Sequence, residues 1–184
     1  LVQTDAVFGS RWRALWWGAG LRGDNPLEEF LNYIKEQGWK VVLHQKKGKF
    51  LPQVIKERYE RVPQLWLDFI NTVRSIQNNE ETTWFLCQDV FDGQKQSAFS
   101  WNEWETLSLD SAGHDIVWEM EIKEFWNRHL SIIMSVQNGY AYYAISVEDG
   151  SIVYGVEPEF ETCTIVAPSF EDFLRKIVQQ EIFI

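Results

Sequence analysis

The residues able to do chemistry are few and far apart in the chain. There are three histidines, His44, His114 and His129, and two cysteines, Cys87 and Cys163. None stands at a spacing such as H-x-x-x-H, which would place two ligands on one helix face, so neither a metal nor a cofactor is expected. A Cys-His nucleophile would need one of the two thiols beside a histidine in space, and nothing in the spacing calls for that. Neither G-x-S-x-G nor the P-loop pattern occurs. Glu157, Glu159 and Glu161 alternate, and in an extended segment they would project to one side. Paired carboxylates near aromatic rings are the machinery of glycoside hydrolysis. With no supporting constellation, three repelling acids read instead as a solvated edge or a docking strip.

The elements that must position these residues can be read from periodicity and turn chemistry. Leu27, Phe30, Leu31 and Ile34 recur at helical spacing behind a cap at Asp24 or Asn25, and Gly38 stops that helix. Trp39 to Leu43 reads as a strand, followed by the basic loop Lys46-Lys47-Gly48-Lys49. Leu51-Pro52 opens a helix through Tyr59, and Pro63 a third with Leu65, Trp66, Phe69, Ile70 and Val73 along one stripe. The polar run Gln77 to Glu81 ends that unit, and Thr82 to Cys87 is a strand. Asp92-Gly93 marks a turn. Ser100-Trp101-Asn102-Glu103 is a capping box for a short helix through Leu107. A further helix covers about Val117 to Trp126. The stretch His129 to Val136 alternates, with Leu130, Ile132, Met134 and Val136 on one face.

Asn138-Gly139 predicts a type I′ hairpin turn, since both residues tolerate positive φ. Strands over Tyr140 to Val147, Ser151 to Val156 and Thr162 to Ala167 follow, joined by short turns that force antiparallel neighbours. Ser169 caps a last amphipathic helix with Phe170, Phe173, Leu174, Ile177 and Val178 on its inner face. The expected fold class is therefore α+β, an antiparallel meander with helices packed around it. The 184 residues make one domain, with residues 1–50 as an aromatic and basic extension packed on a core over 51–180.

The net charge of −10 is unevenly placed. Residues 1–62 carry eleven Lys/Arg against seven Asp/Glu, and residues 63–184 carry six against twenty. An acidic body argues against general nucleic-acid binding, which needs cations against phosphate, and suits a basic protein partner. Two cysteines inside apolar runs are expected as buried thiols in the reducing cytoplasm. No stretch approaches the length of a membrane helix, so no membrane association is expected. The segment from Arg11 to Gly20 imitates a signal peptide only faintly and reads as an aromatic N-terminal segment.

An ordered set of residues resembles the SUKH superfamily, the domain shared by fungal cell-wall-assembly regulators and many bacterial immunity proteins. The set begins with Leu51-Pro52 leading to Arg58-Tyr59, and Pro63-Gln64-Leu65-Trp66-Leu67-Asp68-Phe69. It continues through Trp84-Phe85-Leu86, Gly139 to Ile145, and Asp149-Gly150-Ser151-Ile152-Val153. It closes with Glu157-Pro158-Glu159-Phe160-Glu161 and Ala167-Pro168-Ser169-Phe170-Glu171-Asp172-Phe173-Leu174. The match covers roughly residues 51–178 by this pattern. The resemblance implies a non-catalytic role: many bacterial members neutralise a toxin, often a nuclease, by binding it. Fungal relatives suggest an intracellular regulatory scaffold as the alternative, and aromatic platforms suggest carbohydrate binding as a third. The candidate partner-binding residues are Asp89, Asp92, Glu157, Glu159 and Glu161, with Trp101 or Trp104 as aromatic anchors. Trp84 is expected in the core.

Overall fold

A computed structural model of the chain describes residues 25–45, 48, 51–92 and 99–184. The aromatic segment from Arg11 to Gly20, the cap candidate Asp24, the lysines 46, 47 and 49, and Gly93 lie outside the described residues. Within them the sheet is a seven-stranded meander whose strand order follows chain order. Its strands are β1 (Lys40–Leu43), β2 (Val73–Gln77), β3 (Thr83–Phe85), β4 (His129–Ser135), β5 (Ala141–Ser146), β6 (Ile152–Val156) and β7 (Cys163–Ala167). Every pair is antiparallel. The fold is α+β.

Helices cover both faces because side chains alternate across each strand. Phe85 and Cys87 point into one apolar cluster, while Trp84 and Leu86 point into the other. The first cluster takes α1 (Pro26–Glu36), α2 (Gln53–Arg58), α3 (Gln64–Thr72) and α7 (Phe170–Val178). Phe85 is its hub, with ring centroids of Phe30, Phe69 and Trp39 between 5.4 and 6.2 Å away. The second cluster takes α5 (Glu103–Ala112) and α6 (Ile116–Arg128); the short α4 (Gln88–Phe91) sits between the two, with Phe91 packed against both.

The chain's capping chemistry places the helices as read from sequence. Asn25 accepts from the Leu27 and Glu28 amides, Gly38 takes φ +85°, and Ser169 accepts from the Asp172 amide. The capping box expected at Ser100 is not formed as such: α5 begins at Glu103 with Asn102 as its cap residue. Although Glu103 accepts from the Ser100 amide at 2.9 Å, the Ser100 hydroxyl donates to that same carboxylate instead of accepting from a helix amide.

Five further readings need correction. The N-terminal boundary expected at residue 51 is not a structural one. Leu27, Phe30, Leu31 and Ile34 lie in the main core, and β1 is the sheet's edge strand, paired with β2. The third helix stops at Thr72, and Val73–Gln77 is a strand. Buried Val73 and Ile76 are three apart, which continues the helical stripe of Trp66, Phe69 and Ile70. They face the core from a strand because the β1–β2 register shifts, pairing Leu43 with Val73 and Val42 with Ser75. A similar shift between Ser131 and Ile133 breaks the expected single face of β4. Leu130, Ile132 and Ile133 fill the first cluster, whereas Met134 and Val136 meet the second.

Helix α5 runs past Leu107 to Ala112, because its inner stripe continues through Ser108 and Ala112, too small or polar to register as apolar periodicity. Finally, the β4–β5 connection is not a type I′ turn. Gly139 takes φ +97°, but Asn138 has no positive φ, and five residues rather than two separate the strands.

Candidate functional site

The predicted acidic residues fall at two ends of the sheet. Phe85 pairs with Ile133, and the chain then leaves into α4, so Asp89 and Asp92 lie toward the end where β4 begins. Val156 pairs with Ala141, itself opposite Ser135, so Glu157 to Glu161 follow the end where β4 finishes. Asp89 is committed to Arg74 at 2.7 Å, and Asp92 accepts from the Gln88 carboxamide at 3.0 Å. These two are not part of one surface with the three glutamates.

Residues 157–162 form a turn rather than a strand, since Pro158 has no amide to offer a ladder. The expected one-sided projection of the glutamates is lost with it. Glu157 accepts from the Tyr140 amide at 2.9 Å, Glu159 from the Thr162 hydroxyl at 3.5 Å, and Glu161 from the Trp126 indole at 2.9 Å. What the turn does gain is contact with α5 and α6. Phe160 stacks on Trp104 with centroids 5.4 Å apart, and Trp104 stacks on Tyr140 at 4.8 Å.

Trp104 is thereby fully buried, which removes it as a surface anchor. A ring sandwiched between two others has its apolar area already spent on the core. Trp101 is half-buried, 6.1 Å from Phe91 and with the Arg58 guanidinium 5.8 Å from its centroid. Trp84 is buried, as expected for the core.

Arg58 holds this layer to the body. It donates to both oxygens of Glu105 on α5 at 2.6 and 2.7 Å, and to Asn127 on α6 at 2.9 Å. The next residue, Tyr59, donates its hydroxyl to the Trp126 carbonyl at 3.0 Å. The two side chains fasten α2 to both helices of the second face.

The two thiols lie on different faces of the sheet. Cys87 belongs to the first cluster and Cys163 packs against the second, and no disulfide joins them. Burial pushes the Cys163 thiol up, away from the thiolate. His129 stacks on Phe125 at 4.1 Å and donates Nδ1–H to the Phe125 carbonyl at 2.8 Å. Burial lowers its pKa from 6.5, helped by Arg128 and opposed by that hydrogen bond, Glu148 and Asp149. A neutral folded imidazole contributes stability above the unfolded pKa, and that contribution is lost as pH falls through 6.5 toward the folded value. The urea midpoint is therefore expected to fall between pH 7 and pH 5, with a shallower fall in His129→Phe; equal slopes in the two proteins would remove His129 as the cause.

A groove of about 340 Å³ opens on the first face beside the β4–β5 turn. Its lining includes Thr83, Ser135, Asn138, Tyr143, Tyr154 and Phe183, and among the described residues no charged side chain. It is no part of the acidic surface. Among the described residues no group of three or more His, Cys, Asp or Glu is placed to hold a metal ion, and no helix is long and apolar enough to cross a membrane.

No protein-family model matches the chain, and no curated protein matches it.

The surface that sequence reasoning missed is the start of α6. Ile116, Val117, Trp118 and Met120 are all exposed, and they stand beside the carboxylates of Asp115, Glu119 and Glu121. A signal was present in the chain. Three consecutive apolar residues sweep about 200° of a helix, more than one core-facing stripe can absorb. A second pattern was also passed over: Gly18-Ala19-Gly20-Leu21-Arg22-Gly23 spells G-x-G-x-x-G. Such a match means nothing without a strand before it and a helix at its end, and it lies outside the described residues.

Proposed function

We propose that this chain is a non-catalytic cytoplasmic protein of the SUKH type that binds and neutralises a basic toxin. The observation that carries the reading is the surface shared by α5, α6 and the 157–162 turn. From residue 99 to residue 128 the sequence has seven Asp/Glu against two Lys/Arg, and all seven but Glu105, which is buried against Arg58, reach the surface. Both of those cations are engaged locally, Lys123 with Glu119 and Arg128 with Glu124 and Glu148. Exposed Glu157 and Glu159 extend the acidic field from the adjoining turn.

A nuclease surface shaped for phosphate is cationic, and a carboxylate-rich face can occupy it while speeding encounter. The α+β meander with a Pro-opened helix, a strand hairpin and a final Ser-capped helix has the element order of the SUKH resemblance. The test is neutralisation. A toxic protein is expected to be encoded beside this gene and to lose its activity when mixed with an equimolar amount of the chain, and cells expressing the chain are expected to survive it. A neighbouring toxin whose activity and binding are untouched by the chain would overturn the proposal.

A further inference from the structure

We infer that the first two turns of α6 are the docking element, inserting apolar side chains into a pocket on a partner protein with a basic rim. The inference rests on the protein-binding reading above and says which part of the acidic layer makes contact.

Ile116 is 72% exposed, Val117 67%, Met120 65% and Trp118 45%. An amphipathic helix normally shows water one polar face. Here residues 116, 117 and 118, spread around the helix by about 100° each, are all exposed, so this end projects from the body. The buried stripe accounts for the geometry. Ile122 and Trp126 lie in the second cluster, and Trp118 extends their i, i+4 row outward to a half-exposed position. Aromatic and Met side chains on a projecting helix are what binding hot spots are made of.

Charge chooses the occupant. Asp115 precedes the apolar tip and Glu121 follows it, both exposed, and among the described residues neither is ion-paired to a cation. Asp115 also caps the helix, accepting from the Val117 and Trp118 amides. A second copy of the chain, with net charge −10, would bring these carboxylates against their own like. A partner with Lys and Arg around an apolar depression meets both parts of the surface.

The test places a photo-crosslinking phenylalanine analogue at Val117 of the full chain in its own cells. The cross-linked protein is identified, purified and titrated against the wild type and against Met120→Asp. The expected result is a single basic protein whose binding weakens with salt and falls about 100-fold or more in Met120→Asp. Because Met120 is exposed, the variant's melting temperature is expected to match the wild type. Two outcomes overturn the inference while leaving the protein-binding reading standing. One is equal affinity of the purified partner for wild type and Met120→Asp. The other is cross-linking confined to the chain itself, between two copies or within one, while a basic partner co-purifies. If no protein binds the full chain by either route, both proposals fall.

Discussion

Arg58→Ala is expected to destabilise the fold by about 3–5 kcal/mol, the loss typical when one member of a buried ion pair is removed. The Glu105 side chain is 8% exposed and keeps its two oxygens on the guanidinium. Without Arg58 that carboxylate stays in a low-dielectric site with no cation, and it must either stay charged there or take up a proton. Asn127 loses its donor as well, and the Trp101 ring loses the cation beside it. The pair itself contributes little net stability, because desolvating two charges offsets most of their attraction. It follows that Arg58→Met with Glu105→Leu is expected to recover most of the loss. Urea denaturation of the two singles and the double checks this. A single variant within about 1 kcal/mol of the parent would show the pair to be solvated.

Gly155→Ala should cost about 3 kcal/mol, at the upper end for forcing an extra methyl into a packed core. A Cβ at this position in β6 would stand 2.5 Å from the end of the Tyr142 ring. The ring cannot swing aside, because Tyr142 is fully buried, sits 4.9 Å from Trp126 and donates its hydroxyl to the Phe160 carbonyl. Glycine here is a matter of space rather than φ. Tyr142→Leu shortens the obstructing side chain, and adding it to Gly155→Ala is expected to cost less than the two changes summed. Thermal melts of the three proteins measure that coupling. A Gly155→Ala protein as stable as the wild type would mean the sheet yields where the packing says it cannot.

Much of the frame was legible because local chemistry and tertiary need agree there. Asn25, Gly38, Ser169 and the turn at Asp149-Gly150 each satisfy a backbone requirement that few residue types meet, and all are where the sequence puts them. What failed to show was decided by pairing between distant segments. The bulge that brings Val73 and Ile76 to the core follows from pairing with β1, 30 residues or more away, and the one that turns Met134 and Val136 to the second cluster follows from the register with β5. The site was harder still. Trp104 and Trp118 are the same residue type on adjacent helices, one sealed by Tyr140 and Phe160 and the other near water. The only local difference is the apolar run Ile116-Val117 before Trp118, which one core-facing stripe cannot absorb. Likewise, Glu157, Glu159 and Glu161 share a spacing but not a direction, since each answers to a different partner around the turn.

The route of the chain through the two layers differs from one face of the sheet to the other. The helices on the first face come from both ends of the described chain, α1 and α3 before the sheet's middle and α7 after it, so that layer is tied into the fold at several points. The second face is a single excursion that leaves after Phe85 and returns at His129, joining strands that are already neighbours. Closing a connection between adjacent antiparallel strands costs only slightly more as it lengthens, by about 0.6 kcal/mol per doubling. Such an excursion can be rewritten, lengthened or exchanged for another without changing a strand pair, provided the grip of Arg58 and Tyr59 is kept. If the proposed binding role holds, a scaffold wired in this way could be turned to a new partner by altering one cassette of its chain.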